Sequence, residues 1–255
     1  MTQAVVYEHP LNERIRTLLR LEHLGRRLRA ALAGRDPWAS RRALDAVVDL
    51  VEVLARPELR AELIKELERQ QGVLARLLNA PGVDTVRLDA VLARLEETRS
   101  LLHGETGPLG QSVREQELVS ALAQRGSLVG GACDFELPLL HHWLQQPDDD
   151  RHARLAAWAR DLEPGPRAAA LILDILRGSG DPVSCTAAGG FYQQALDSSV
   201  PYQLLRVEVP AGLTCYAEIS AGRHRFTVRF MQPRPAERAL QTREDVPFTL
   251  TCCAL

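Results

Sequence analysis

Lysine is almost missing from this chain: of its 31 basic residues only Lys65 is a lysine, and the rest are arginines. Arginine grips carboxylates and phosphates bidentately where lysine acts as a point charge. So uniform a bias also suggests a GC-rich genome, and a single arginine therefore counts for little. Aromatic residues are only 5% of the chain, too few for the stacking platforms that hold single-stranded nucleic acid. The net charge of -2 excludes a global basic field for nucleic acid or anionic membrane. Five cysteines, an odd set without a Cys-x-x-Cys pair, indicate neither a disulfide framework nor a zinc ribbon. No apolar window approaches the roughly 20 residues that cross a bilayer, and the amino-terminal residues lack the basic-then-apolar pattern of an export signal. The expectation is a cytoplasmic protein without membrane association.

Catalytic signatures are missing as well. There is no Walker loop, no Gly-x-Ser-x-Gly elbow and no His-Glu-x-x-His. His141 and His142 are adjacent, so on a helix they diverge by about 100° and cannot chelate one metal without further ligands. The carboxylates lie among arginines, as solvated ion pairs do. The sequence predicts no enzyme, no cofactor and no metal.

What is present is a long run of amphipathic helices. The first extends from His9-Pro10 to about Leu32, after a short strand over residues 3–7, with Leu11, Ile15, Leu18, Leu21, Leu28 and Leu32 on one side. Its other side carries Arg16, Arg20, His23 and Arg27, a basic stripe or simply a solvated face. Asp36-Pro37 caps and opens a second helix to about Ala55. A third covers 58–79, and Asp84 caps a fourth to about Leu102. A fifth is expected over 111–124. Residues 127–137 read as an irregular turn, a short helix opens at Pro138, another follows Asp148–Asp150, and the last spans 166–177. Short connections make such helices antiparallel neighbours, and leucine-rich helices of this length often dimerise.

After Gly178 the hydrophobic period changes to two. Strands are predicted near 184–194, 203–209, 214–220, 223–231 and 246–252. Pro210-Ala211-Gly212 and Ala221-Gly222 read as hairpin connections within an antiparallel meander, and 232–242 as a surface loop. The fold class is therefore α+β, with a helical domain over 1–181 and an antiparallel β-strand domain over 182–255. Residues 223–231 alternate two chemistries: His224, Phe226, Val228 and Phe230 on one face, Arg223, Arg225, Thr227 and Arg229 on the other. Such a strand packs its apolar face on a core and offers guanidinium groups to something negative, or merely solubilises a surface. A nucleic-acid-binding module using the same arginines is the alternative reading. Cys252-Cys253-Ala254-Leu255 matches a prenylation pattern and equally reads as the end of a strand.

Several blocks together resemble the ZapD family, the Z-ring-associated proteins of bacterial cell division. They are Val6-Tyr7-Glu8-His9-Pro10-Leu11-Asn12-Glu13-Arg14, Arg69-Gln70-Gln71, Pro81-Gly82-Val83-Asp84, Gly130-Gly131, Leu137-Pro138 with His141 and Trp143, Gly190-Phe191-Tyr192-Gln193, and Arg225-Phe226 with Arg229-Phe230-Met231. The resemblance is collinear over nearly the whole chain. It implies a cytoplasmic homodimer at the mid-cell division ring that recognises the carboxy-terminal tail of FtsZ and bundles its protofilaments, promoting Z-ring assembly and septation without catalysis. It also implies a basic cleft between helical and β-strand parts, formed here by Arg20, Arg56, His141, Arg225 and Arg229. Arg16, Arg114 and Arg223 join this set by proximity in pattern. Glu117 departs from it, standing where the family leads one to expect a basic residue.

Overall fold

A computed structural model describes residues 4–78, 80–104, 107–126 and 128–255. Gln3 of the first expected strand, Asn79 of the expected helix break and Ser127 of the expected irregular turn lie outside them. The order is β1 (Val5–Pro10), α1 (Glu13–Leu32), α2 (Pro37–Leu54), α3 (Leu59–Ala75), α4 (Thr85–Gly104), α5 (Gln111–Arg114), α6 (Glu117–Arg125), α7 (Pro138–Leu144), α8 (Asp148–Leu162) and α9 (Pro164–Arg177). The strands β2 (Val183–Ala187), β3 (Phe191–Ala195), β4 (Tyr202–Val209), β5 (Tyr216–Ala221), β6 (Arg225–Arg234), β7 (Glu237–Gln241) and β8 (Val246–Ala254) follow. The fold is α+β, with helices first and antiparallel sheets after them. Two compact units divide the chain: Met1–Arg16 with Leu173–Leu255, and Thr17–Ile172.

In the helical unit α2 is the buried centre. Asp36 caps it, accepting a hydrogen bond from the Ala39 N–H at 3.0 Å, and Pro37 fills the first turn where no N–H is needed. From Ala39 to Leu54 its apolar residues are buried except the half-buried Val53, with α5, α6, α7 and α8 packed around it. Asp84 caps α4 through the Arg87 N–H at 3.0 Å, and α3 packs against α4. The single helix expected over 111–124 is two, because Gln116 takes an extended backbone between α5 and α6. Pro10 does not open α1: it ends β1, paired with Leu204, and Asn12 caps the helix through the Ile15 N–H at 2.9 Å.

The β unit holds two four-stranded sheets rather than a meander. One has the order β1-β4-β8-β2; the other is β3-β6-β5, with β7 also paired to β6. The expected strand over 184–194 is broken by Gly189 and Gly190, both at positive φ, and a side chain at Gly190 would meet Thr242 at 2.6 Å. The chain therefore leaves the first sheet at Ala187 and enters the second at Phe191. Pro210-Ala211-Gly212 likewise carries the chain from β4 to β5 in the other sheet and closes no hairpin. Ala221-Gly222 does belong to a hairpin, between β5 and β6. The expected loop over 232–242 contains β7: β6 runs on to Arg234, Pro233 sits at a register shift where its missing N–H is tolerated, and Ala236 takes the positive-φ turn position.

The apolar faces of the two sheets share one core, in which Val207, Phe248 and Leu250 of the first meet Ala217, Phe226, Val228 and Phe230 of the second. Phe248 touches Phe230 and Tyr192 at ring-centroid distances of 5.4 and 5.2 Å. Burial pushes the Tyr192 phenol up to about 12. On β1, Glu8 takes a bidentate bridge from Arg177 at 2.8 Å and a further bond from Arg206 at 3.1 Å. Cys252 and Cys253 lie inside β8, where burial pushes Cys253 up to about 11, so the terminal cysteines end a strand.

Candidate functional site

The two-residue period of β6 produces the expected division of its faces. Phe226, Val228 and Phe230 are buried, while Arg225 and Arg229 are exposed. His224 departs from the expectation: it precedes β6 and is exposed, because the β5–β6 hairpin closes at Ala221↔Phe226 and leaves 223–224 in the turn. Arg223 shares that turn.

Register then shows what surrounds the arginines. On the solvent face of the second sheet Arg225 is opposite Ala195, Thr227 lies between Gln193 and Ser220, and Arg229 lies between Phe191 and Glu218. Among the described residues neither Arg225 nor Arg229 has an ion-pair partner. A strand rises about 3.3 Å per residue, so the face presents two guanidinium groups without an ion-pair partner whose Cα atoms are about 13 Å apart along β6. Such groups bind carboxylates strongly when the geometry is bidentate.

In the helical unit the predicted residues separate into groups. Arg56 donates to the Thr17 hydroxyl at 3.2 Å and reaches Glu62 at 3.7 Å. Thr17 is one turn from Arg20 on α1, so Arg56 is anchored beside Arg20, which is exposed and, among the described residues, makes no ion pair. Arg27 is spent on Asp49 at 2.7 Å. His141 is exposed on α7 with its Nδ1 3.1 Å from Asp134. Arg114 lies on the rim of a groove of about 690 Å³ walled by Val48, Val51, Ala55, Leu109 and Val119, with Glu52 and Glu115 also on it. Glu117 is exposed at the first turn of α6, where a carboxylate suits the helix dipole. In the β unit Arg16 pairs with Glu13 at 3.5 Å. No cluster of potential metal ligands occurs among the described residues.

Sequence reasoning missed Phe191, Gln193, Ala195 and Glu218 as neighbours of the basic strand. The signal was the Gly189-Gly190 pair, which sets the corner and hence the register of β3.

The comparisons decide which class of protein carries this face. A family model described as ZapD, cell division protein, matches residues 19–229. The chain belongs to the ZapD family of cell division proteins. It is 40% identical over 255 residues, all of both chains, to the cell division protein ZapD of Methylococcus capsulatus (strain ATCC 33009 / NCIMB 11132 / Bath). It is 38% identical over 253 residues to that of Cronobacter sakazakii (strain ATCC BAA-894), covering 99% of this chain and all of the relative. The matched span includes all of β6 up to Arg229, so both exposed arginines fall within the ZapD match. No helix of this ZapD-family chain, among the described residues, is long and apolar enough to cross a membrane.

Proposed function

We infer that the chain binds the carboxy-terminal tail of FtsZ and, as a homodimer, cross-links FtsZ protofilaments into bundles at the division ring, promoting septum formation. The observation that carries this reading is the pair of exposed, unneutralised arginines, Arg225 and Arg229, on a strand held rigid by neighbours on both sides, in a member of a cell division family. Arg20, Arg56 and His141 are assigned to tail binding with them, and Arg16, Arg114 and Arg223 as supporting residues. The guanidinium groups take carboxylates of the flexible tail, and its apolar residues enter grooves such as the one at Arg114.

Each head binds weakly. Two heads on a dimer meeting tails on neighbouring filaments gain avidity from the high local tail concentration, so dimerisation is part of the function. No catalytic step or cofactor takes part, and the site of action is the cytoplasm at mid-cell. Because salt screens exposed charge to a reach of about 8 Å at about 0.15 M, bundling is strongly salt-sensitive. Co-sedimentation of FtsZ polymers with the protein across a salt series tests this. Bundles that persist unchanged at about 1 M salt contradict it, as does an equal affinity for mixed DNA and RNA in a gel shift.

A further inference from the structure

The ladder between β3 and β6 fixes which backbone groups of β3 face outward. Phe230 donates its N–H to the Gly190 carbonyl at 2.9 Å and Leu196 donates its N–H to the His224 carbonyl at 2.8 Å. In an antiparallel pair hydrogen-bonded and non-hydrogen-bonded positions alternate. Tyr192 and Gln194 therefore bond to β6, while Gln193 and Ala195 turn their N–H and C=O groups to the opposite edge. Among the described residues no strand pairs with that edge, and Gln193, Gln194 and Ala195 are exposed.

Native edges are usually blunted by charge, proline or a bulge. The sequence of β3, Phe191-Tyr192-Gln193-Gln194-Ala195, has none of these. Side-chain parity adds a second fact. The outward-facing residues Gln193 and Ala195 put their side chains on the same face as Arg225, Thr227 and Arg229. A residue of an added strand paired with either of them would share that face. It would lie about 10 Å from β6, within combined reach of an arginine and a carboxylate side chain. Between Arg225 and that position stands only the methyl group of Ala195.

The edge has a closed end and an open one. At the Phe191 end Gln241 donates to the Gly189 carbonyl at 2.9 Å and Asp245 accepts from the Gly189 N–H at 2.8 Å. At the Ala195 end lies a pocket of about 290 Å³ with Leu11, Leu196, Val200 and Tyr202 among its walls and Arg223 on its border.

We propose that the free edge of β3 takes an extended peptide as an added strand, with acidic side chains at the alternate positions paired with Gln193 and Ala195, on the face that carries Arg225 and Arg229, and an apolar side chain beyond them in the pocket beside Arg223. This rests on the tail-binding reading above and adds to it the backbone register of the bound peptide. Charge complementarity commits the occupant to an acidic segment, and the backbone groups of Gln193 and Ala195 commit it to an extended one.

The test is a scan of the FtsZ tail peptide with single backbone N-methyl groups, each peptide titrated against the full chain. Methylation at every second position of one short stretch weakens binding by about tenfold, while the intervening positions are tolerated. Gln193→Pro, which removes an outward N–H from an edge strand, reduces binding comparably; should that variant fail to fold, the peptide scan decides alone. Binding that needs Arg225 and Arg229 but responds evenly to methylation overturns the edge-strand mode and leaves the tail reading standing. No binding by the unmodified peptide overturns both.

Discussion

Arg229 and Glu218 are direct cross-strand partners on β6 and β5, yet they form no ion pair: the Glu218 carboxylate instead accepts the Tyr216 hydroxyl at 3.3 Å. Burial, with the Glu218 charge beside it, raises the Tyr216 phenol above its ordinary value. The guanidinium is thus left open, but under the field of a nearby carboxylate that an acidic ligand must work against. Removing that charge by Glu218→Gln is expected to tighten binding of an acidic peptide by about two- to fivefold, the scale of one cross-strand charge pair. Isothermal titration of the FtsZ tail peptide against both proteins measures it.

The helical unit depends on one buried cation. Arg151 is only 2% exposed. It donates to Ser40 Oγ at 3.2 Å, to the Leu144 carbonyl at 3.2 Å and to the Arg35 carbonyl at 3.1 Å, and it also bonds Gln146 O and pairs with Asp148. Truncating it leaves several acceptors buried without partners. Arg151→Met is expected to lower stability by about 3 kcal/mol, read from the urea midpoint. A cost below about 0.5 kcal/mol, typical of a surface site, contradicts that role.

How much of this was legible in the sequence differs by element. The caps Asp36 and Asp84 and the alternation of β6 are local signals, and the structure reproduces both. The partition of strands between two sheets is not local. Gly189-Gly190 interrupts a stretch whose side chains still read as one strand; the corner shows only in the positive φ of both glycines and in Thr242, which stands where a side chain at Gly190 would be. Likewise, 232–242 looks like a loop because of its prolines, and it pairs only because β6 continues past a bulge. The basic face could be read as one strand's chemistry, whereas its neighbours Ala195 and Glu218 required the register.

His9 gives a pH dependence of defined sign. Burial first, and the charge of Arg16 second, lower its pKa below the ordinary 6.5. Above that value the imidazole is neutral in both folded and unfolded chains. As pH falls through 6.5 the unfolded chain takes up the proton first, so stability declines until the folded imidazole protonates too. His9→Gln is expected to flatten this part of the stability profile, measured by urea unfolding at a series of pH values. An identical slope in the variant contradicts the assignment.

The most direct measurement is fluorescence-anisotropy binding of a labelled FtsZ tail peptide to the protein and to its Arg225→Glu, Arg229→Glu variant, with circular dichroism on both. Both side chains are exposed, so the variant is expected to keep its fold and to lose binding by at least about a hundredfold, the scale of replacing two guanidinium contacts with like charge. Undiminished binding by the folded variant would contradict the central claim that the basic face of β6 holds the tail.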